Sequence, residues 1–366
     1  MEKIFQIEPS LDENEKKEIL EVMDSGWYTE SSKTREFEKK FAEYTGSKYA
    51  VAVTSGTTAL YMGLKSLGIG KGDEVIVPDL TFVASPNSIE MTGAKPIFVD
   101  INKKDLNLDI SKIENLVTKK TKAIMPVDFN GRGIEITKIR EIAKKNNLFL
   151  VEDACHAIGS QYKNKHAGTM SDVAAFSFSI PKIITTGQGG MIITNKKEIY
   201  EKCIALKDFG REFGAKKNML KAFDHNTIGY NFKFTEFQAA IGLAQLRKLS
   251  KRVKHKKSMF KKYEELLRNI KEIEFIETDL KKETPWMIDI MVKKNRNKLI
   301  KYLEKKLIQT RIYYPPIHRL RPYQKNDKKF PITSNVSDKG LWLPSSSSLN
   351  DSQLRFVCSE IKKFFN

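Results

Sequence analysis

The sequence predicts an α/β protein with a wound, largely parallel sheet, helices on both faces of that sheet, and a smaller α+β domain after it. Two observations predict this fold. Short apolar runs alternate with longer amphipathic segments through the first two-thirds of the chain, and the alternation stops near residue 250. Strands that alternate with helices are typical of parallel sheets covered on both faces. We therefore assign residues 1–250 to a large domain and residues 251–366 to a small domain, on which the N-terminal segment is expected to pack.

Seven short apolar runs are predicted to be the buried strands. They are too short for helices, many of their residues are β-branched, and Gly, Pro, Asp or Ser residues follow them. Between them, residues 59–67 place Leu60, Leu64 and Leu67 on one helical face, and residues 134–147 form a charged amphipathic segment. The predicted strands cover residues 50–53, 75–77, 97–99, 123–125, 148–151, 174–176 and 191–193.

The last third of the chain has a different pattern. Thr235 and Gln238 have the spacing of a capping box, which predicts a helix to about residue 249. Asn350 is the predicted cap of a last helix that runs to the C-terminus. The elements between them are a lysine-rich helix at 250–271, strands at 273–276 and 287–292, and a helix at 296–308.

Composition narrows the class of protein. The 366 residues are 40% hydrophobic, which excludes a disordered chain, and the sequence contains no apolar run near the 18 residues of a membrane span. The three cysteines are odd in number and far apart, so neither a disulfide framework nor a metal site is predicted. Because a charged stretch follows Met1 in place of a secretory signal, we expect a cytoplasmic protein.

The formal net charge of +19 comes from 64 Lys and Arg residues against 45 Asp and Glu residues. Such an excess is compatible with nucleic acid, anionic membranes or phosphorylated small molecules as partners. The lysines are dispersed among glutamates on helical faces rather than gathered in one block with aromatic residues. A solvated surface is therefore favoured, and neither nucleic acid nor a membrane is predicted as a partner.

Two predicted strands end in residues suited to ligand binding, and ligands of α/β sheets bind at the carboxyl ends of strands. Residues 54–60 form a hydroxyl-rich turn with Gly56 that opens a helix; this is a phosphate seat, or only a capped turn. Asp153 follows the end of the fifth predicted strand, three residues before His156. The two side chains suit a metal, acid–base chemistry, a partner for a ring nitrogen, or a structural hydrogen bond.

Lys182 stands in a loop that is otherwise apolar and rich in glycine. Desolvation lowers the pKa of an amine and makes it a nucleophile that can form a Schiff base. A surface lysine lying along apolar side chains is the alternative. A phosphate seat, a strand-end acid, such a lysine and an aromatic residue, Phe82, are together the requirements of pyridoxal phosphate.

At these residues the chain resembles the DegT/StrS-type nucleotide-sugar aminotransferases, which are fold-type-I pyridoxal-phosphate enzymes, over essentially its whole length. The most specific stretch runs from Phe176 through Lys182 to Gly190. The resemblance implies a three-layer α/β/α large domain of the aspartate-aminotransferase type, with a mostly parallel mixed sheet. It also implies that Lys182 is the catalytic residue and forms the Schiff base with the cofactor.

The resemblance implies that seven further residues contact the cofactor. Asn231 is expected to reach the phosphate bound by the neighbouring subunit, which implies a homodimer with shared active sites. The other six are expected at the phosphate (Gly56, Thr57 and Ser177), the pyridine nitrogen (Asp153), the ring hydroxyl (His156) and the ring face (Phe82).

Substrate contacts are expected at four residues, namely Trp27, Thr29, Tyr313 and His318. The loops at 26–33 and 207–224 are expected to set the specificity for nucleotide and hexose. The sequence departs from the family pattern in three places: Gln188 stands in place of the usual glutamate, Lys233 in place of the usual arginine, and residues 179–181 in place of an often aromatic or histidine-containing stretch. The first two are expected to affect the dimer interface or a loop, and the third the substrate side of Lys182.

The activity implied is transamination of a nucleotide-linked 4-keto-6-deoxy sugar, with glutamate as donor, 2-oxoglutarate as its product, and the cofactor alternating between pyridoxal and pyridoxamine phosphate. Residues 183–187 resemble the version in enzymes that aminate C4, with GDP-4-keto-6-deoxy-D-mannose giving GDP-perosamine for polysaccharide or O-antigen biosynthesis as the best match. The alternatives are another sugar 3- or 4-aminotransferase, a pyridoxal-phosphate-dependent keto-deoxy-sugar dehydratase, and a non-catalytic sensing homologue. The dehydratases carry histidine at the lysine position, so Lys182 disfavours them.

Overall fold

The computed structural model of the chain describes residues 2–211 and 225–366. Residues 212–224 of the predicted specificity loop therefore lie outside the described residues. The strands are β1 (Tyr49–Val53), β2 (Glu74–Pro78), β3 (Lys95–Val99), β4 (Thr121–Ile124), β5 (Phe149–Asp153), β6 (Gln161–Tyr162), β7 (Lys165–His166), β8 (Val173–Ser177), β9 (Gly190–Thr194), β10 (Ile273–Phe275), β11 (Asp289–Val292), β12 (Arg311–Ile312) and β13 (Gly340–Trp342). The α-helices are α1 (Glu13–Ser25), α2 (Ser32–Thr45), α3 (Gly56–Ser66), α4 (Ala84–Met91), α5 (Ile136–Lys145), α6 (Lys197–Lys207), α7 (Glu236–Leu267), α8 (Arg296–Lys305), α9 (Pro331–Lys339) and α10 (Asp351–Phe365).

The large sheet has seven strands in the order β1-β9-β8-β5-β4-β2-β3. Strand β9 runs antiparallel to both of its neighbours, and the five strands from β8 to β3 pair in parallel. A second, antiparallel sheet has the order β10-β11-β13-β12. The predicted mixed, mostly parallel sheet is thereby confirmed, and each of the seven predicted strands overlaps a strand of this sheet.

Both faces of the large sheet are buried, which gives the three layers. Along β8, Val173 and Ala175 join the apolar cluster under α3, α4 and α6, whereas Ala174 and Phe176 join the cluster under α2 and α7. Side chains of a strand alternate between faces, so a strand buried on both faces has no polar alternation in its sequence. This explains why the strands appear as short continuous apolar runs.

Several helices differ from the sequence prediction. Helix α7 is one helix of 32 residues where two were predicted, because neither Gly nor Pro interrupts the chain near residue 250 and buried residues such as Leu249 and Met259 continue along it. Helices α2, α4, α6 and α9 were not predicted. Helix α4 contains Pro86, but within its first turn, where proline's missing N–H has no helical partner to lose. The structure has the predicted capping box at Thr235 and the predicted cap at Asn350, where Gln353 completes a second capping box.

The N-terminal segment packs on the C-terminal third of the chain. Ile4 forms a parallel bridge with Ile308, and the Ser345 amide donates to the Gln6 carbonyl at 2.7 Å. The predicted domain boundary lies inside α7, which continues through residue 250 without a break. The division into two domains therefore stays a prediction.

A buried ion pair connects the two sheets. Arg132, in the loop that follows β4, donates from Nη2 to Oδ1 of Asp289 on β11 at 2.6 Å, and both side chains are at most 1% exposed. The Tyr313 hydroxyl donates to the same carboxylate. Beside this pair, the Asn130 side chain donates to the Met287 carbonyl and accepts from the Met287 amide. The small sheet is thus held at a fixed position beside the carboxyl ends of the large one.

We expect Asp289→Asn to lower the free energy of unfolding by about 3–5 kcal/mol, because it leaves the buried Arg132 guanidinium without a compensating charge. Urea unfolding followed by circular dichroism measures the change. The matched control is Asp351→Asn, which removes an exposed carboxylate paired with Lys262 and Arg355 and should leave the free energy of unfolding nearly unchanged. Equal losses in the two variants would contradict this role of Asp289.

Candidate active site

A cavity of about 260 Å³ lies at the carboxyl ends of the strands of the large sheet. Its walls come from the segments that follow β1, β2, β4, β5 and β8, and from the segment around β12 of the small sheet. This is the expected position for a ligand site in an α/β sheet. The residues that line it are Ser55, Gly56, Thr57, Leu60, Thr81, Phe82, Ala84, Val127, Asp153, Cys155, His156, Ser177, Ser179, Pro181, Lys182, Gln188, Trp286, Arg311 and Tyr314.

The Asp153 carboxylate is held in place by hydrogen bonds. Asp153 is the last residue of β5 and is 5% exposed. Its Oδ2 accepts from the Ser85 hydroxyl at 2.7 Å, and its Oδ1 accepts from the Cys155 amide at 3.2 Å. A second hydroxyl, that of Thr81, lies 2.7 Å from the Ser85 hydroxyl. A carboxylate fixed in this way can pair with a protonated ring nitrogen.

The phosphate seat forms where α3 approaches the end of β8. Ser55 caps α3 by accepting from the Thr58 amide at 3.1 Å, and the first amides of the helix have no partner within it. A Cβ added to Gly56 would lie 2.9 Å from the Ser177 Cβ and 3.0 Å from the Cys155 Sγ. Only glycine allows this approach, which brings the Ser177 hydroxyl to the amino terminus of α3. That terminus favours an anion.

The Lys182 amine lies in the same cavity, 4.1 Å from the centroid of the Trp286 ring. Burial lowers the pKa of this amine to about 8, because desolvation disfavours the ammonium form; the charge of Asp153 opposes the shift and that of Arg311 adds to it. The Trp286 indole donates to the Pro181 carbonyl at 2.7 Å, which holds the loop that carries Lys182. The cavity therefore contains a lysine amine of lowered pKa, and the role of Lys182 in forming a Schiff base stays a prediction.

His156 is a neutral hydrogen-bond donor in this arrangement. Its ring stacks on Trp286 with a centroid distance of 3.9 Å, and its Nδ1 accepts from the Asn130 amide at 3.3 Å. Burial holds the pKa of His156 well below its ordinary value. With Nδ1 occupied as an acceptor, the neutral ring carries its proton on Nε2. Phe82 forms another wall, 5.3 Å from Tyr314 between ring centroids.

The structure does not bring all of the predicted residues into the cavity of one chain. Trp27 and Thr29 are exposed in the loop between α1 and α2, and Asn231 is exposed next to its bridge with Asp208. Tyr313 is buried and donates its hydroxyl to Asp289. These positions leave the substrate contacts and the contact across a dimer as predictions.

His318 also lies away from the cavity, fully buried between two carboxylates. Its Nδ1 is 2.5 Å from Asp79 Oδ2, and its Nε2 is 2.5 Å from Asp327 Oδ1. Both ring nitrogens of His318 therefore have partners within the chain, and the residue connects the segment that follows β12 to the loop after β2.

Several cavity residues were not predicted from the sequence, and three of them come from the last third of the chain, namely Trp286, Arg311 and Tyr314. Tyr314 follows the predicted contact Tyr313 directly, and Arg311 lies three residues before Tyr314, so that neighbourhood was the available signal. Trp286 lies in a segment without any motif, and its position depends on the packing of the small sheet.

A model of the DegT/DnrJ/EryC1/StrS aminotransferase family matches residues 9–362. The chain belongs to this family. It is 39% identical over 362 residues to a GDP-perosamine synthase of Escherichia coli O157:H7, with 98% of each chain covered. The predicted recognition, enzyme class and cofactor are confirmed: the chain is an aminotransferase that uses pyridoxal phosphate.

Solved structures agree with this assignment over the whole chain. PseC of Helicobacter pylori, an aminotransferase involved in the biosynthesis of pseudoaminic acid, has a TM-score of 0.92 at 28% identity, covering 100% of this chain and 99% of its own. The pyridoxal-phosphate form of the putative sugar aminotransferase Spr1654 of Streptococcus pneumoniae has a TM-score of 0.93 at 26% identity, covering 99% and 98%.

The cavity fits pyridoxal phosphate on its own geometry. The space that a Cβ at Gly56 would block lies beside the amino terminus of α3, the Asp153 carboxylate is fixed at a strand end, and the Lys182 amine is desolvated between them. Over residues 2–211 and 225–366, no group of three or more His, Cys, Asp or Glu side chains is placed to hold a metal ion. Within the same ranges, no helix is long and apolar enough to cross a membrane.

We expect Gly56→Ala to weaken the binding of pyridoxal phosphate at least about tenfold, because the new Cβ displaces Ser177 from the phosphate seat. Fluorescence titration of the cofactor-free protein measures the dissociation constant. Gly70→Ala is the matched control, since its Cβ would only reach ordinary contact, 3.7 Å from the Thr92 carbonyl oxygen. Unchanged binding in Gly56→Ala would contradict the proposed seat.

The lowered pKa of Lys182 predicts unusual reactivity in the cofactor-free protein. A lysine becomes nucleophilic as the pH rises through its pKa, so acylation of Lys182 should rise with a midpoint near pH 8, whereas exposed lysines should follow the ordinary value of 10.5. Pulsed acetylation followed by peptide mass spectrometry measures both kinds of lysine in one sample. A midpoint for Lys182 equal to that of the exposed lysines would show that the amine is solvated.

Proposed function

We propose that the chain transfers the amino group of glutamate to C4 of a nucleotide-linked 4-keto-6-deoxy sugar, with GDP-4-keto-6-deoxy-D-mannose as substrate and GDP-perosamine as product. The observation that carries the proposal is that one cavity joins the desolvated Lys182 amine, the fixed Asp153 carboxylate and the anion seat of α3. The similarity to a GDP-perosamine synthase over 98% of both chains supports the choice of sugar.

Each residue of the cavity has a separate role in the proposed reaction. When bound, pyridoxal phosphate supplies an electron sink for the carbon that loses its proton. Asp153 would keep the ring nitrogen protonated, and Ser177 with the first amides of α3 would hold the phosphate. The Nε2–H of His156 would donate to the ring hydroxyl, and Phe82 would cover a face of the ring.

Lys182 has two duties in this scheme. Its amine is the group that holds the cofactor between turnovers, and once displaced it moves the proton at the substrate carbon. A pKa of about 8 suits the second duty, because both the charged and the neutral amine are then available near neutral pH. The Trp286 ring, 4.1 Å from the amine, limits the motion of the amine on that side.

A homodimer with shared active sites is part of the proposal. Asn231 and the loop with Trp27 and Thr29 are exposed, as residues that act in a neighbouring subunit would be in one isolated chain. Ile228, in the segment before Asn231, is 80% exposed, and Trp27 is 58% exposed. A second copy of the chain would remove these apolar side chains from water. The cytoplasmic location stays a prediction.

The test is a panel of nucleotide-linked keto sugars incubated with glutamate, with products identified by mass spectrometry and the aminated carbon by NMR. We expect the sugar to gain nitrogen at C4 and 2-oxoglutarate to accumulate in equal amount. Loss of a sugar hydroxyl without gain of nitrogen would show a dehydratase, amination at C3 would show the other aminotransferase class, and cofactor binding without any turnover would show a sensing homologue.

Variants connect this activity to the site. Lys182→Ala should lose turnover and the adduct that borohydride traps, and Asp153→Ala should lower kcat by at least about 100-fold because the ring nitrogen loses its counter-charge. Lys254→Ala, which removes an exposed lysine of α7, should leave both readouts unchanged. Full turnover by Lys182→Ala would rule out the proposed chemistry.

A further inference from the structure

Arg311 is a cation in the cavity that the chain itself does not neutralise. It begins β12, pairs in register with Trp342 of β13, and lines the cavity together with Lys182 and Tyr314. Across the part of the chain that the structure describes, no carboxylate forms an ion pair or hydrogen bond with it. Arg132 and Arg319, by contrast, are paired with carboxylates.

Aromatic rings hold the Arg311 guanidinium in place of a carboxylate. Its central carbon lies 5.6 Å from the Tyr314 ring centroid and 5.7 Å from the Trp342 ring centroid. Such contacts orient a guanidinium and leave its N–H groups free to bind a planar anion in a two-pronged manner. The charge of Arg311 also contributes to the lowered pKa of Lys182 and of His156, which places it within electrostatic reach of the reacting amine.

The anion that fits this position is the α-carboxylate of the amino donor. The cofactor phosphate has its own seat at α3 and Ser177, on another wall of the cavity. Of the remaining anions, the α-carboxylate is bonded to the carbon that exchanges its proton with Lys182, so it must lie close to that amine. The diphosphate of a nucleotide sugar is attached at C1, across the sugar ring from the C4 ketone, and lies farther from the amine.

We propose that Arg311 binds the α-carboxylate of the amino donor and thereby selects α-amino acids for the first half of the reaction. The inference rests on the proposed function, because it takes the amino donor to be an amino acid such as glutamate. It adds a residue and a chemical reason for donor choice. The keto sugar has no charged group at its reacting carbon. When it replaces the donor, the contacts with Tyr314 and Trp342 still hold the Arg311 guanidinium, so the arginine tolerates the absence of a bound carboxylate.

The test uses the holoenzyme and the donor half-reaction alone. L-glutamate, or its α-amide as the probe without the carboxylate charge, is titrated into the yellow enzyme without sugar, and the loss of the cofactor's absorption gives a half-saturating concentration for each. Wild type should prefer glutamate. Arg311→Gln should raise the half-saturating glutamate concentration about 10- to 100-fold, leave the titration with the α-amide unchanged, and so lose the discrimination. Arg311→Lys, which keeps the charge, should lose less.

The control is Arg355→Gln, an exposed arginine paired with Asp351 on α10, which should behave as wild type. An unchanged glutamate titration in Arg311→Gln, or equal losses with both donors, would overturn the proposal while the proposed function stands. In a separate steady-state assay with both substrates, a rise in Arg311→Gln confined to the KM for the nucleotide sugar would overturn it in favour of the diphosphate. Failure of wild type itself to be converted by any α-amino acid would overturn the proposed function and this inference together.

Discussion

The approach of α3 to the end of β8 is the constraint on which the site depends. At Gly56 a Cβ would meet the side chains of Ser177 and Cys155, and at Gly190 it would lie 2.3 Å from the Ser55 carbonyl oxygen. Two glycines therefore let the strand ends of β1, β8 and β9 come together without intervening side chains. This contact aims the amino terminus of α3 at the cavity and fixes both ends of the loop that carries Lys182.

The charges between the two sheets and those that line the cavity have different roles. The Arg132–Asp289 pair is complete within the chain and holds the two sheets together. Lys182 and Arg311 have no carboxylate paired with them among the described residues, so the cavity is left positive for ligands that bring their own negative charge. Most of the +19 net charge is unrelated to this, because the many surface lysines are exposed and pair at most weakly with nearby acids.

Much of the fold and part of the site could be predicted from the sequence, for a physical reason. Strands buried on both faces must be apolar throughout, and a cofactor seat at a strand end needs its glycine, hydroxyls and acid within a few residues of that strand, so both leave local patterns. The sequence did not predict that α7 is continuous, because the many exposed lysines on its surface make the periodic pattern of its buried residues hard to recognise. Tyr313 and His318 were expected to be substrate contacts, whereas in the structure each is bound to a carboxylate of its own chain.

The sequence by itself determined which chemistry the chain carries: a desolvated lysine, an acid at a strand end and a glycine-opened phosphate seat, each recognisable from its neighbours along the chain. Only the tertiary structure decided what surrounds that chemistry. Trp286 contacts Lys182 and Arg311 lines the same cavity, although both lie more than a hundred residues further along the chain. The Arg132–Asp289 pair and the packing of the small sheet bring the segment before β11 and strand β12 to the cavity. Spacing along the sequence shows only which residues are neighbours in the chain. The pKa of the Lys182 amine and the choice of amino donor depend on residues that are distant in the chain and that folding brings next to the amine.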